Sequence, residues 1–125
     1  MILDTCALLW LATGSSDLTR KTLKKIEETN VVYVSAITAF EIAIKASKGK
    51  LKLPKNPREW FDAIVSCHRL TVLPLDLNVC LGATELPPFH NDPCDRFIIA
   101  TAKIHNFAVV TSDQNFAQYD VQVLI

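Results

Sequence analysis

Four carboxylates stand out by type and position: Asp4, Glu41, Asp95 and Asp113. Asp4 closes a short apolar run at residues 1–3. Asp113 follows the run at residues 108–111, with only Ser112 between. Glu41 shares a helical stripe with Ile37 and Ile44, with Phe40 beside it, and Asp95 heads a stripe that carries Ile99 and Ala102. An acid on a stripe that should face a sheet needs a partner, a place at the rim, or a function. Carboxylates gathered at one rim repel each other and raise each other's pKa. A hard divalent cation relieves that repulsion, and an all-oxygen donor set suits Mg²⁺ or Mn²⁺. Such an ion activates water and stabilises a leaving oxygen, which is the chemistry of phosphodiester cleavage.

Each acid also has a plainer explanation. Asp4 can cap a helix that starts at Thr5, and Asp95 can belong to a capping box. Asp113 suits a turn. Glu41 can pair with Lys45 four residues on, although a surface pair does not account for its apolar stripe.

The stretch from His90 to Ala102 reads as the start of a buried helix. Asp92 is a good N-cap, Pro93 suits the first helical position, and Phe97, Ile98, Ile99, Ala100, Ala102 and Ile104 make the helix apolar nearly all round. Asp92 reads as the cap rather than as a fifth acid of the pocket. His90 reads as a proton shuttle or substrate contact, or else as a plain loop histidine. Arg96 reads as a counter-charge for Asp92 or as a phosphate contact.

The elements that must position these residues alternate along the chain. Expected strands are residues 1–3, 31–34, 70–75, 108–111 and 121–124. Pro74 makes the third short or peripheral. Expected helices run over residues 5–11 (broken by Gly14), from a Ser16-Asp17 cap to Thr29, from a Ser35 cap to Lys48, from Pro57 with Trp60, Phe61, Ile64 and Val65 on one face, from Asp76 or Asn78 to Leu86, and from Asp92 to a left-handed Asn106. Residues 113–119 form a turn or short helix. This alternation predicts an α/β fold of three layers around a parallel sheet of about five strands, in one domain over residues 1–125. Ligands of such sheets bind beyond the carboxyl ends of the strands, which brings Asp4 and Asp113 to the same rim.

Lys+Arg and Asp+Glu balance at 13 each, so overall charge neither favours nor excludes a nucleic-acid partner. Locally, Lys45, Lys48, Lys50, Lys52, Lys55 and Arg58 form an acid-free basic group that could steer phosphates. Cys6, Cys67, Cys80 and Cys94 lack zinc-site spacing and read as buried free thiols. With no secretory signal pattern and no membrane-spanning segment, they suggest a cytoplasmic protein.

The sequence resembles the PIN domain family, and within it the VapC-type ribonuclease toxins of toxin–antitoxin pairs. The motifs are Ile2-Leu3-Asp4-Thr5, Val34-Ser35-Ala36 through Phe40-Glu41-Ile42-Ala43-Ile44-Lys45, His90 with Asp92-Pro93-Cys94-Asp95-Arg96, and Val110-Thr111-Ser112-Asp113. They occur in the family order and cover essentially the whole chain. The resemblance implies a PIN-like α/β/α fold and a divalent-metal-dependent endoribonuclease using Mg²⁺ or Mn²⁺. Asp4, Glu41, Asp95 and Asp113 would be its metal-binding and catalytic acids, with Thr5, Ser35 and Thr111 as flanking small polar residues. It also implies structured RNA such as tRNA as substrate, a cognate VapB-type antitoxin, and a homodimer with an exposed apolar groove; Trp10, Leu11, Leu18 and Leu23 read equally as part of that groove or as core. Phe40 stands where related sequences often have Trp, Cys94 where they often have Phe, and Asn106 where they often have Gly. The alternative is a non-catalytic PIN-like module that binds RNA or protein. A phosphoacceptor receiver domain is excluded because no Lys follows a late strand.

Overall fold

The computed structural model describes residues 1–125. The strands are β1 (Ile2–Leu3), β2 (Val32–Ser35), β3 (Leu70–Leu73), β4 (Val109–Val110) and β5 (Val123–Leu124). The helices are α1 (Thr5–Thr13), α2 (Arg20–Glu28), α3 (Ala36–Ser47), α4 (Pro57–Cys67), α5 (Leu77–Glu85) and α6 (Pro93–His105), and a 3₁₀ turn spans Gln114–Tyr119. All strand pairs are parallel, in the order β3-β2-β1-β4-β5. This is the expected α/β architecture, with β3 and its neighbouring Pro74 at an edge.

Period-2 alternation divides the strand residues between two cores. Leu3, Val32, Val34 and Val110 pack on one face with Leu8, Ile26, Trp60 and Phe61. Ile2 and Val109 pack on the other with Ile98, Ile99 and Phe116. A parallel sheet covered on both faces explains why its strands read as unbroken apolar runs.

Local signals set most boundaries. Side chains of Asp4, Thr19, Ser35, Asn56, Asp76 and Asp92 each accept a backbone N–H at the head of a helix. Gly14 and Asn106 end α1 and α6 in the left-handed conformation.

Three expectations are corrected. Helix α2 starts at Arg20 behind a Thr19 cap, whereas Ser15 and Asp17 are engaged in a turn of their own. The buried side of α3 is Ile37, Thr38 and Ile42; Phe40 and Ile44 are 58% and 38% exposed. Ile37 joins one core and Ile42 the other, so α3 bridges the layers instead of lying one face on the sheet. The cysteines are free, but none is buried: Cys6 and Cys67 are exposed, Cys80 and Cys94 half-buried.

No helix is long and apolar enough to cross a membrane. Of Trp10, Leu11, Leu18 and Leu23, the core alternative fits best: Leu11 and Leu18 are buried in the first core, and the half-buried Trp10 and Leu23 pack against it. They line an open cavity of about 590 Å³ together with Asn30 and Val32, at the amino end of β2. That is the rim opposite the carboxylates.

Ile99 is fully buried at the centre of α6. Ile99→Ala should destabilise the chain by about 2–5 kcal/mol. Urea denaturation would show a lower midpoint at unchanged m value.

Candidate active site

The parallel pairing of β1 with β4 sets Leu3 beside Val110, so the residues that leave those strands emerge together. Asp4 leaves β1, with its N–H donating to the Val110 carbonyl at 3.1 Å. It is 6% exposed and caps α1, since Oδ1 accepts the Ala7 N–H at 2.7 Å. Glu41 reaches the same place from α3. Its Oε1 accepts the Thr5 hydroxyl at 2.6 Å, and its Oε2 lies 2.9 Å from Lys45 Nζ. The pair with Lys45 therefore exists, but the hydroxyl of the residue next to Asp4 also holds this carboxylate.

Asp113 caps the 3₁₀ turn, Oδ1 accepting the Asn115 N–H at 2.9 Å. Its own N–H donates to the Thr111 hydroxyl at 3.0 Å. Asp95 lies in the first turn of α6. Oδ2 of Asp113 and Oδ2 of Asp95 each lie 2.9 Å from His90 Nε2. These two carboxylates and the imidazole thus offer three ligand-type atoms within 4.8 Å of one another.

Asp92 is the cap of α6, its Oδ1 accepting the Asp95 N–H at 3.1 Å. The reciprocal half of a capping box is absent, because the Asp92 N–H donates to His90 Nδ1 at 3.2 Å instead of to Asp95. Arg96 answers neither expectation made for it. Its Nε donates to the Ala83 carbonyl, Nη1 to those of Pro87 and His90, and Nη2 to that of Leu86, at 2.7–3.1 Å. It is a clamp on the loop that carries His90. A lone Arg three residues inside a helix gives no sequence signal for that role, because its partners are backbone carbonyls.

Electrostatics tie the four acids into one field. Burial pushes the Asp4 carboxyl above its usual range; hydrogen bonds from the Thr111 hydroxyl and the Ala7 N–H oppose this, and the charges of Glu41 and Asp113 add to it. Asp95 is pushed up to about 7 by burial first and then by the charge of Asp92, against the pull of His90, with Asp4 and Glu41 raising it further. Nearby thiols feel the same field. Cys94 is pushed up to about 11 by burial and by Glu41, Asp92 and Asp95, and Cys6 is raised by burial and Asp4. The hydrogen bond to Glu41 raises the Lys45 ammonium. Burial and like charge oppose the ionisation of Asp4 and Asp95, and a hard dication would favour the ionised form of both.

Fold and site define a class: an α/β domain with a wholly parallel sheet and an acidic cluster beyond the carboxyl ends of its strands. Within that class, a model of the PIN domain family matches residues 1–122, and the chain belongs to that family. It is 29% identical over 120 residues to ribonuclease VapC22 of Mycobacterium tuberculosis, covering 95% of this chain and 91% of that protein. Its fold is similar to chains in two solved structures. One is VapBC2 of Rickettsia felis bound to a promoter DNA fragment (TM-score 0.74, 18% identity, 98% of this chain and 96% of the other). The second is FitAcB of Neisseria gonorrhoeae (TM-score 0.68, 23% identity, 99% and 96%).

Two outcomes test this geometry. Because the Asp95 carboxyl is raised in the folded chain, its contribution to stability is present at low pH and is lost as pH climbs from 3.8 through about 7. Metal-free Asp95→Asn should therefore melt higher than the natural chain at about pH 8, with the gap closing towards about pH 4. A gap independent of pH would contradict the shift. Arg96→Lys should cost about 2–3 kcal/mol, since an ammonium cannot reproduce the planar fork that reaches four carbonyls. Faster amide exchange in residues 86–92 would locate the loss.

Proposed function

We propose that this chain is a divalent-metal-dependent endoribonuclease acting as the toxin of a toxin–antitoxin pair. One observation carries the reading: in a chain of the PIN domain family, Asp95 and Asp113 converge on His90 within 4.8 Å, and Asp4 and Glu41, tied to each other through Thr5, lie close enough to act on the same electrostatic field. Asp4, Glu41, Asp95 and Asp113 would hold Mg²⁺ or Mn²⁺, which their hard oxygen donors suit. A dication bound there supplies the charge that activates a water and offsets the charge of the leaving oxygen.

The chain's own residues prepare the place. Asp4 and Asp113 each commit one oxygen to a backbone N–H, the Thr111 hydroxyl also bonds the Asp4 carboxyl, and the second Asp113 oxygen turns to His90. Thr5 and Lys45 fix both oxygens of Glu41. Lys48, Lys50, Lys52, Lys55 and Arg58 are exposed and make no ion pair, so they are free to attract a phosphate backbone. Structured RNA such as tRNA is the substrate class, and the relationship to ribonuclease VapC22 supports RNA over DNA.

The partner is a VapB-type antitoxin, as the toxin–antitoxin complexes among the structural relatives suggest. A homodimer is supported by Leu77, Leu81 and Ile104, exposed apolar residues on the packed helices α5 and α6. Four free thiols suit a reducing cytoplasm.

RNA cleavage by the natural chain should require a divalent ion and stop with chelator. Asp4→Asn and Asp95→Asn should each fall to the level of the chelated protein. Chelator-resistant cleavage, or full activity in both variants, overturns the mechanism. Tight RNA binding without turnover under any divalent ion would favour the non-catalytic alternative.

A further inference from the structure

His90 is the polar side chain of the rim that the four-carboxylate reading leaves without a role. Its Nε2 is hydrogen-bonded to Asp113 Oδ2 at 2.9 Å and lies 2.9 Å from Asp95 Oδ2. Its Nδ1 accepts the Asp92 N–H at 3.2 Å. A donor aimed at Nδ1 needs a lone pair there, so the proton of the neutral ring sits on Nε2. A ring nitrogen that carries a proton has no lone pair to offer an ion.

The surroundings oppose reorientation of the ring. The His90 N–H donates to Tyr119 Oη at 2.7 Å, and its carbonyl accepts from Arg96 Nη1 at 3.0 Å. The ring stands edge-on to Phe116 at 5.9 Å, and the side chain is only 13% exposed. Tyr119 is held in turn, its hydroxyl donating to the Pro87 carbonyl at 2.8 Å.

We propose that His90 is a positioning residue: its Nε2–H keeps Asp113 and Asp95 side by side for a divalent ion, and the ring does not ligate the ion. The proposal rests on the nuclease reading above. Two carboxylates set against one atom repel each other, and the positive end of the N–H dipole between them offsets that repulsion. The competing role is a nitrogen ligand in a mixed donor set, which would favour Mn²⁺ or Zn²⁺ over Mg²⁺.

Nitrogen NMR of the histidine rings, on the whole chain labelled with ¹⁵N, reads the tautomer directly. His90 should carry its proton on Nε2 without metal and keep it there when Mg²⁺ is added. Calorimetric titration with Mg²⁺ and Mn²⁺ then compares His90→Gln, whose amide N–H can reach the Nε2 position, with His90→Asn, whose shorter amide cannot. His90→Asn should bind either ion about 10–100-fold more weakly, the usual cost of losing a partner that orients a ligand, and His90→Gln should recover most of that affinity. A proton on Nδ1 in the metal-free chain overturns the proposal. So does a shift to Nδ1–H on adding the ion, or a His90→Gln as weak as His90→Asn. A natural chain that binds no divalent ion at all instead overturns the nuclease reading, whatever the tautomer of His90.

Discussion

The crowding of like charges at one rim is the constraint on which this molecule turns. A parallel sheet sends every strand out at the same end, so residues that follow neighbouring strands arrive together. Here Asp4 and Asp113 follow two hydrogen-bonded strands, and Glu41 and Asp95 come in from helices α3 and α6. Left alone, the buried Asp4 and the partly buried Asp95 would oppose folding in their ionised form. The chain meets this locally, with a hydrogen-bond donor or a cation supplied to each acid: the Ala7 N–H, the Thr5 hydroxyl and Lys45, the Asn115 N–H, and His90.

Capping and function are not alternatives in this arrangement. A carboxylate has two oxygens and several lone pairs, so one oxygen can satisfy a helix N-terminus while the other faces the site. Asp113 does this, with Oδ1 capping and Oδ2 against His90, and the positive ends of the segments that Asp4 and Asp113 cap help to hold their charge. Asp92 and Asp95 divide the task instead. Asp92 closes the helix head, and Asp95, three residues on, is left to turn towards His90.

Behind the acids stands a layer that is almost entirely backbone-directed. Arg96 gathers the carbonyls of Ala83, Leu86, Pro87 and His90, and Tyr119 joins that loop to the end of the 3₁₀ turn. The loop follows Leu86 and contains two prolines, so it has few backbone donors of its own with which to order itself. A guanidinium with five donors in fixed geometry suits carbonyls that converge from one side. Rigidity of the site is thus imported from the helix that also carries Asp95.

The sequence by itself determined what depends on neighbours in the chain. Apolar runs marked all five strands, cap residues marked most helix starts, and Gly14 and Asn106 marked left-handed ends, because these signals act over a few residues. It also singled out the four acids, since charge next to an apolar run is conspicuous. It misplaced the buried side of α3, because a helix that bridges two layers does not present a single stripe to a sheet. It exaggerated the burial of the thiols for the same reason: burial is decided by what lies across from a residue. Above all, only the tertiary structure decided the partners of His90 and Arg96. Apart from the local Asp92–His90 bond, their contacts reach across 5 to 29 positions, and many end on carbonyls that every residue possesses, so no pattern of side-chain types could announce them.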